Sequence, residues 1–330
     1  MRIGINGFGR IGRRVARLIL SRLDMQLVAI NDLADVDTMA HLLKYDSVHG
    51  VWPFDVQSDD GFLKIQDRKV AYMSLTNPSD IPWDQFGCDY IIESTGSFLS
   101  LELASSHIKP GVKKVIISAP PKGDGIKTIA LGVNDALIVT NDKVLSNASC
   151  TTNSAAPLVK IIDELCEIES AYITTVHSYT SDQRLQDAPH RDLRRARAAA
   201  QSIVPTSTGA AKAITRIFPH LENKLGGCGI RVPVPNGSLT DITYIVQHPK
   251  SVDEINAAFK HAALNDLKGI LQYTEDPIVS VDVIGNTHSC IFDAQLTSVI
   301  GNMVKVMGWY DNETGYSARL LDLIEKLDRL

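Results

Sequence analysis

The sequence predicts an α/β chain in two parts, a doubly wound parallel sheet at the N-terminus followed by an α+β half with a largely antiparallel sheet. Three observations predict it. Short apolar runs at 2–6, 27–32, 90–93 and 114–118 alternate with helical and turn segments in the rhythm of βα units. Beyond 150 the rhythm changes, with strand patterns at 171–179, 229–234, 239–246, 289–296 and 303–310 and few helices between the late ones, at 208–217, 252–263 and 316–327. The length of 330 residues suits about two domains with ample apolar core. The boundary is placed after 149, giving parts 1–149 and 150–314.

The first strand runs into Gly7-Phe8-Gly9-Arg10-Ile11-Gly12 and then an amphipathic run with Val15, Leu18 and Ile19 on one face. In this glycine pattern Gly7 allows the tight turn, Gly9 lets a pyrophosphate approach the backbone, and Gly12 lets helix and strand pack closely. A second strand ends in Asp32, twenty residues after Gly12, where a carboxylate accepts a ribose 2′-OH. Strand, glycines, helix, strand and acid in this order predict a Rossmann-type NAD-binding domain. A helix follows around 39–44, then hairpin-like pieces over 54–73. The strands at 90–93 and 114–118 end in loops carrying Thr95 and Ser118. Loops at the carboxyl ends of parallel strands line the ligand crevice, so these hydroxyls either line the cofactor groove or satisfy their own loops.

The net charge of −5 offers no general attraction to nucleic acid or anionic membrane. Cys88, Cys150, Cys166, Cys228 and Cys290 are odd in number and scattered, without the close pairs of a zinc site, so no metal is expected and a reducing cytoplasm is. Met1-Arg2 leads straight into a strand, and no apolar run approaches the ~20 residues of a membrane span. A soluble cytoplasmic protein with no membrane partner is expected.

Ser146-Asn147-Ala148-Ser149-Cys150-Thr151-Thr152-Asn153 leaves an apolar segment and enters a helical pattern at Ala155, Ala156, Leu158 and Val159. Cys150 therefore sits in a helix's first turn, capped by Ser149 or Asn147. Backbone N–H groups there lack intrahelical partners, and the dipole favours a thiolate. A lone cysteine reads as a small buried hydrophobe, but an inert one needs no collar of hydroxyl and amide residues. A long polar loop at 180–197 carries Arg184, Arg191, Arg194, Arg195 and Arg197. These read as a solvated, salt-bridged surface or as phosphate ligands; without interleaved aromatics, nucleic acid is not the expected partner.

Ser149-Cys150-Thr151-Thr152-Asn153, Thr175-Val176-His177-Ser178-Tyr179-Thr180, Arg194-Arg195-Ala196-Arg197, Pro205-Thr206-Ser207-Thr208-Gly209-Ala210-Ala211-Lys212 and Trp309-Tyr310-Asp311-Asn312-Glu313 together resemble glyceraldehyde-3-phosphate dehydrogenase, nearly end to end. The resemblance implies a homotetrameric glycolytic enzyme that oxidises and phosphorylates an aldehyde with NAD and inorganic phosphate. It implies Cys150 as nucleophile and His177 as the base that takes a proton from the thiohemiacetal as hydride leaves. It places Thr180 and Arg231 with the phosphate of glyceraldehyde 3-phosphate. Ser149, Thr151, Arg195, Thr208 and Gly209 fall around the attacking phosphate, and Asp182 orients the arginines. Arg10 and Ile11 match the pyrophosphate loop. Asn312 matches the residue that holds the nicotinamide carboxamide, with Tyr316 beside it, so the closing helix at 315–330 is expected to pack back on the first domain.

Ser154, Thr76, Thr314, Ala188, Val234 and Gly237 depart from the family's usual pattern. The related erythrose-4-phosphate dehydrogenases usually lack a threonine at the position of Thr180, and a catalytically silent NAD-binding protein has no need of both Cys150 and His177. Ser154 removes the second thiol that would follow Cys150 by one helical turn, and Cys166 lies about 24 Å along an unbroken helix. Mild peroxide is accordingly expected to take Cys150 to sulfenic acid, then to a mixed disulfide with external thiol or to sulfinic acid. Non-reducing peptide mapping checks this; Cys150 linked within the chain in proportion to lost activity would overturn it.

Overall fold

The computed structural model describes residues 1–59 and 61–330; Asp60, inside the expected hairpin region, lies outside the described residues. By its internal contacts the chain divides into two units, one of Met1–Ile129, Ala136–Ala148 and Ser317–Leu330, the other of Ala130–Asp135 and Ser149–Tyr316.

In chain order the first unit contains β1 (Arg2–Asn6), α1 (Arg10–Leu20), β2 (Gln26–Asn31), α2 (Val36–Lys44), β3 (Tyr45–Asp46), β4 (Gly50–Val51), β5 (Val56–Asp59), β6 (Phe62–Ile65), β7 (Arg68–Met73), β8 (Tyr90–Glu93), α3 (Leu101–Ser105), β9 (Lys114–Ile117), β10 (Lys127–Thr128) and β11 (Val144–Ser146). Its main sheet has the order β10-β11-β9-β8-β1-β2-β7-β6-β5. Pairing is parallel from β10 to β7 and antiparallel across β7, β6 and β5. The parallel strands are covered on both faces, so β8 and β9 are buried at every residue and are apolar apart from Glu93 at the end of β8 and Lys114 at the start of β9. The end of the chain joins this unit through Asp328, which accepts from Tyr90 Oη and Lys113 Nζ at 3.0 Å each, and through Glu325, 2.9 Å from Arg22.

The second unit contains α4 (Cys150–Cys166), β12 (Ile168–Ser178), β13 (Val204–Thr206), α5 (Ala210–Ile217), β14 (Leu225–Val232), β15 (Ser238–Val246), α6 (Val252–Leu264), β16 (Leu271–Thr274), β17 (Cys290–Asp293), β18 (Ser298–Ile300), β19 (Met303–Tyr310) and the start of α7 (Thr314–Asp328). The sheet order is β13-β14-β12-β15-β19-β17-β16, with β18 on β19. Only β12·β14 and β16·β17 are parallel among its described pairs. Here β15 and β19 alternate buried with half-buried residues, the signature of a sheet with one face on the core. That face packs on Leu158 and Ile162 of α4 and Phe259 of α6, whose ring stacks on Phe292 at 3.8 Å.

Three boundaries differ from expectation, the last of them falling after Tyr316 rather than after 314. Ser149 belongs with the second unit because it caps α4, and residues 130–135 do too. Lys160 Nζ holds the Gly132 carbonyl at 3.0 Å, and a Cβ on Gly132 would meet Leu267 and Ile270. The short strands β13 and β18 carry too few residues to announce themselves in the sequence.

The glycine turn behaves as its spacing demands. Gly7 has φ 91°, and a Cβ there would lie 2.6 Å from Thr95 N; a Cβ on Gly12 would lie 2.2 Å from the Gly7 carbonyl oxygen, while one on Gly9 would meet nothing within 4 Å. Gly12→Ala should therefore destabilise by about 1–3 kcal/mol, as overpacking does, and Gly9→Ala should fold normally. Urea unfolding of both variants checks this; equal midpoints would remove the packing argument.

Candidate active site

Cys150 is the first residue of α4. The N-cap Ser149 accepts from Thr152 N at 3.1 Å, and its Oγ lies 2.7 Å from Thr152 Oγ1, which settles the cap on Ser149 rather than Asn147. Just before it Ala148 holds φ 56°, the left-handed region that a non-glycine residue adopts only at a cost of about 1–3 kcal/mol. His177 stands one residue from the end of β12, and its Nε2 is 3.4 Å from Cys150 Sγ. Parallel register pairs His177 with Arg231 on β14, and this brings Arg231 Nη1 within 2.6 Å of His177 Nδ1 and 3.0 Å of the Ser178 carbonyl. The same carbonyl lies 2.7 Å from His177 Nδ1.

Electrostatics correct the expected sign at the sulfur. Burial pushes the Cys150 thiol above its usual value, and the Arg231 charge and the N–H and hydroxyl of Thr151 pull it back only in part. Burial and then Arg231 hold His177 down to about 3, against the favourable Ser178 carbonyl. The imidazole is therefore neutral at neutral pH, and burial disfavours the thiolate. A neutral imidazole is the form that accepts a proton. Burial also pushes Cys88 and Cys290 up to about 12, which marks them as inert core thiols.

A second cluster gathers the loop residues. Arg195 is bonded to Asp182, donates from Nε to Thr206 Oγ1 at 2.9 Å and from Nη2 to the Ser207 carbonyl at 3.2 Å. Thr208 Oγ1 accepts from Ala210 N at 3.2 Å, and Gly209 stands at the N-cap of α5, which has no side chain capping it. Thr180 N donates to Gln183 Oε1 at 3.4 Å. The charges of Arg195 and Asp182 act on Arg231, so the two clusters share one electrostatic neighbourhood. Thr151 Oγ1 is tied to Tyr310 Oη at 3.0 Å, and Thr175 Oγ1 to the same hydroxyl at 2.9 Å. The Tyr310 ring meets His177 edge-on with centroids 5.9 Å apart. Tyr310 and Thr175 lie in two of the motifs above without a role assigned to them; the alternation of β12 and β19 shows only that both are inward. Asn312 Oδ1 accepts from Ser178 Oγ and Ser238 Oγ at 2.9 Å each, and Tyr316 is buried.

In the first unit a cavity of about 350 Å³ is lined by Asn6, Gly7, Gly9, Asp32, Thr76, Ser94 and Thr95 among others. Asp32 accepts from Phe8 N at 2.5 Å and Ala34 N at 3.0 Å. Thr95 N and Oγ1 both donate to Glu93 Oε1. Glu93 is itself held by Asn6 and His107, a buried network that the sequence did not flag. Arg10, Ile11, Gly12 and Ser118 do not line this cavity; Arg10 pairs with Asp46 at 3.0 Å, and Ser118 N donates to the Glu93 carbonyl. The residues present fit a dinucleotide. The start of α1 has neither a capping side chain nor an acid in its first turn, Gly9 leaves open space above the backbone, and a carboxylate stands at the end of β2. Among the described residues no cluster of His, Cys, Asp and Glu suits a metal ion, and no helix is long and apolar enough to cross a membrane.

Unfolded, His177 takes up its proton near its usual 6.5, whereas the folded chain refuses it down to about 3, so the unfolded state binds more protons between these values. Stability falls as pH drops through that window. His177→Asn should lose less than the parent on going from pH 7 to pH 4.5, by about 2 kcal/mol. Urea unfolding at the two pH values checks this; identical losses would show that His177 is not held neutral.

Comparison with known proteins bears on both units. Residues 1–101 match the family model for the glyceraldehyde 3-phosphate dehydrogenase NAD binding domain, and residues 149–312 match that for the C-terminal domain. The chain is 51% identical over 325 residues to glyceraldehyde-3-phosphate dehydrogenase 1 of Streptomyces avermitilis, covering 98% of this chain and 97% of the relative. It is 53% identical over 327 residues to glyceraldehyde-3-phosphate dehydrogenase of Streptomyces coelicolor and 51% over 331 residues to that of Mycobacterium tuberculosis, with the same coverage. With an NAD-binding domain model matching the glycine-turn unit and a C-terminal domain model matching the unit that joins Cys150 to His177, the chain belongs to the glyceraldehyde-3-phosphate dehydrogenase family.

Proposed function

We propose that the protein oxidises and phosphorylates D-glyceraldehyde 3-phosphate to 1,3-bisphosphoglycerate with NAD and inorganic phosphate, through a thioester on Cys150. The observation that carries this reading is the 3.4 Å approach of Cys150 Sγ to a neutral His177 Nε2, with arginines in the same neighbourhood. The thiol adds across the aldehyde carbonyl, its proton passing by way of His177 to the new hydroxyl. NAD, when bound, accepts the hydride. His177 takes the hydroxyl proton as the thiohemiacetal becomes a thioester, and an imidazole already neutral at working pH has its lone pair ready. Inorganic phosphate then attacks the thioester and releases Cys150.

Two phosphates need two anion sites. Thr180 and Arg231 are assigned to the substrate's phosphate. Ser149, Thr151, Arg195, Thr208 and Gly209 are assigned to the attacking one, with Asp182 holding Arg195. Arg195 already makes three directed bonds, which fits a guanidinium set in place before its ligand arrives. On the cofactor, Gly7, Gly9, Arg10, Ile11 and Gly12 are assigned to the pyrophosphate, Asp32 to the ribose, Thr95 and Ser118 to the groove, and Asn312 with Tyr316 to the nicotinamide end. The first unit is read as the NAD-binding domain and the second as the catalytic domain, in a cytoplasmic homotetramer. Thr180 favours the three-carbon substrate over erythrose 4-phosphate.

Initial rates of NADH formation test the reading. The wild type should require both glyceraldehyde 3-phosphate and inorganic phosphate for sustained turnover, and should use NAD more efficiently than NADP because Asp32 repels a 2′-phosphate. Cys150→Ser should lower the rate by about 10³-fold or more. Turnover indifferent to phosphate, or a serine variant at wild-type rate, would overturn it.

A further inference from the structure

Asn312 lies two residues beyond β19, where the ends of β12 and β15 bring two buried serines against its side chain. Ser178 Oγ and Ser238 Oγ each donate to Asn312 Oδ1 at 2.9 Å, and Ser238 Oγ accepts from Ser178 N at 3.1 Å. An amide oxygen has two lone pairs, and here both are taken. The hydroxyl protons have no other acceptor among the described residues. Turning the amide over would aim N–H groups at the serines and strand both buried hydroxyl protons, at the cost that buried unpaired donors carry. The backbone of Asn312 is held independently. Its neighbour Asp311 accepts from Asn236 Nδ2, Glu313 N, Thr314 N and Gly285 N at 2.7–2.9 Å. Among the described residues none accepts from Asn312 Nδ2, so the end of the amide offered to a ligand is its donor end.

We propose that Ser178 and Ser238 are positioning residues that lock the Asn312 amide with its NH2 group outward, so that the chain recognises the carbonyl oxygen of the nicotinamide carboxamide and not its nitrogen. The inference rests on the assignment of Asn312 made above and adds to it the device that sets the direction of the hydrogen bond. Ser178 has a second part, since its carbonyl also holds His177 and Arg231. One residue thereby anchors the proton acceptor through its backbone and the cofactor clamp through its side chain.

The test is calorimetric titration of the full-length chain with three probes: NAD, its 3-acetylpyridine analogue, which keeps the carbonyl and replaces the amide nitrogen by methyl, and ADP-ribose, which lacks the ring. In the double variant Ser178→Ala/Ser238→Ala the freed amide can turn its oxygen to the carboxamide NH2, a partner that NAD has and the analogue lacks. The ratio of affinities should shift about twofold toward NAD, which can pair with either end of the freed amide whereas the analogue can pair with one, with ADP-ribose unchanged. Ser178→Thr/Ser238→Thr, which keeps both hydroxyls, should retain the wild-type ratio. If the double variant does not fold, Ser178→Ala alone leaves the Ser178 N to Ser238 Oγ bond intact and should move the ratio in the same direction by a smaller factor. A ratio that stays put in a folded variant, or an equal loss for all three probes, overturns the proposal. Asn312→Ala separates the two layers. If it weakens NAD against ADP-ribose while the serine variants leave the ratio unmoved, only the locking role falls. If it leaves NAD unaffected, the assignment of Asn312 falls and this inference with it.

Discussion

The 3.4 Å contact between Cys150 Sγ and His177 Nε2 is the constraint on which the site depends, and it is built from two unrelated local devices. One is the Ser149 cap, which fixes where α4 begins and so which residue occupies its first position. The other is β12, whose alternation turns Thr175 and His177 to the buried side of the sheet and whose parallel register with β14 brings Arg231 alongside. Neither device knows of the other. Their meeting is enforced by the apolar packing of α4 on the sheet, through Leu158, Ile162, Ile173, Ile242 and Val306, all fully buried.

Burial sets the protonation of this pair, and the magnitudes say why. Full burial of an ionisable group costs up to about 4–7 kcal/mol, whereas a helix terminus contributes about 0.3–1 kcal/mol to an adjacent anion. The first turn of α4 therefore offsets only part of the cost of a thiolate. Arg231 acts on both partners in opposite senses, favouring the thiolate and disfavouring the imidazolium. Holding the base neutral and the nucleophile close means that the proton has a destination as soon as the sulfur begins to bond.

The two sheets solve different burial problems, and this is why their chemistry sits where it does. In the first unit the central strands are covered on both faces, so polar function is confined to strand ends and the loops beyond them: Asp32 after β2, Thr95 after β8. In the second unit the inward side of β12 passes from apolar Ala171 and Ile173 to polar residues at its end. Thr175 and His177 sit on its inward side, buried yet bonded to Tyr310 and Ser178.

The sequence by itself determined the α/β class, the parallel and largely antiparallel halves, the glycine turn with its acid, and the start of the Cys150 helix, because each of these is local. Glycine conformation, capping chemistry and hydrophobic period act within a few residues of one another. The match of Cys150, His177 and Arg231 to a family pattern named the participants. Only the tertiary structure decided what each one faces. The pairing of His177 with Arg231 spans 54 residues, Thr151 with Tyr310 159, and Ser178 with Asn312 134, and no local rule specifies strand register across such separations. The same holds for the sign at Cys150. A capped helix start argues for a thiolate, but burial outweighs it, and burial is a property of everything packed around the sulfur rather than of the residues beside it in the chain.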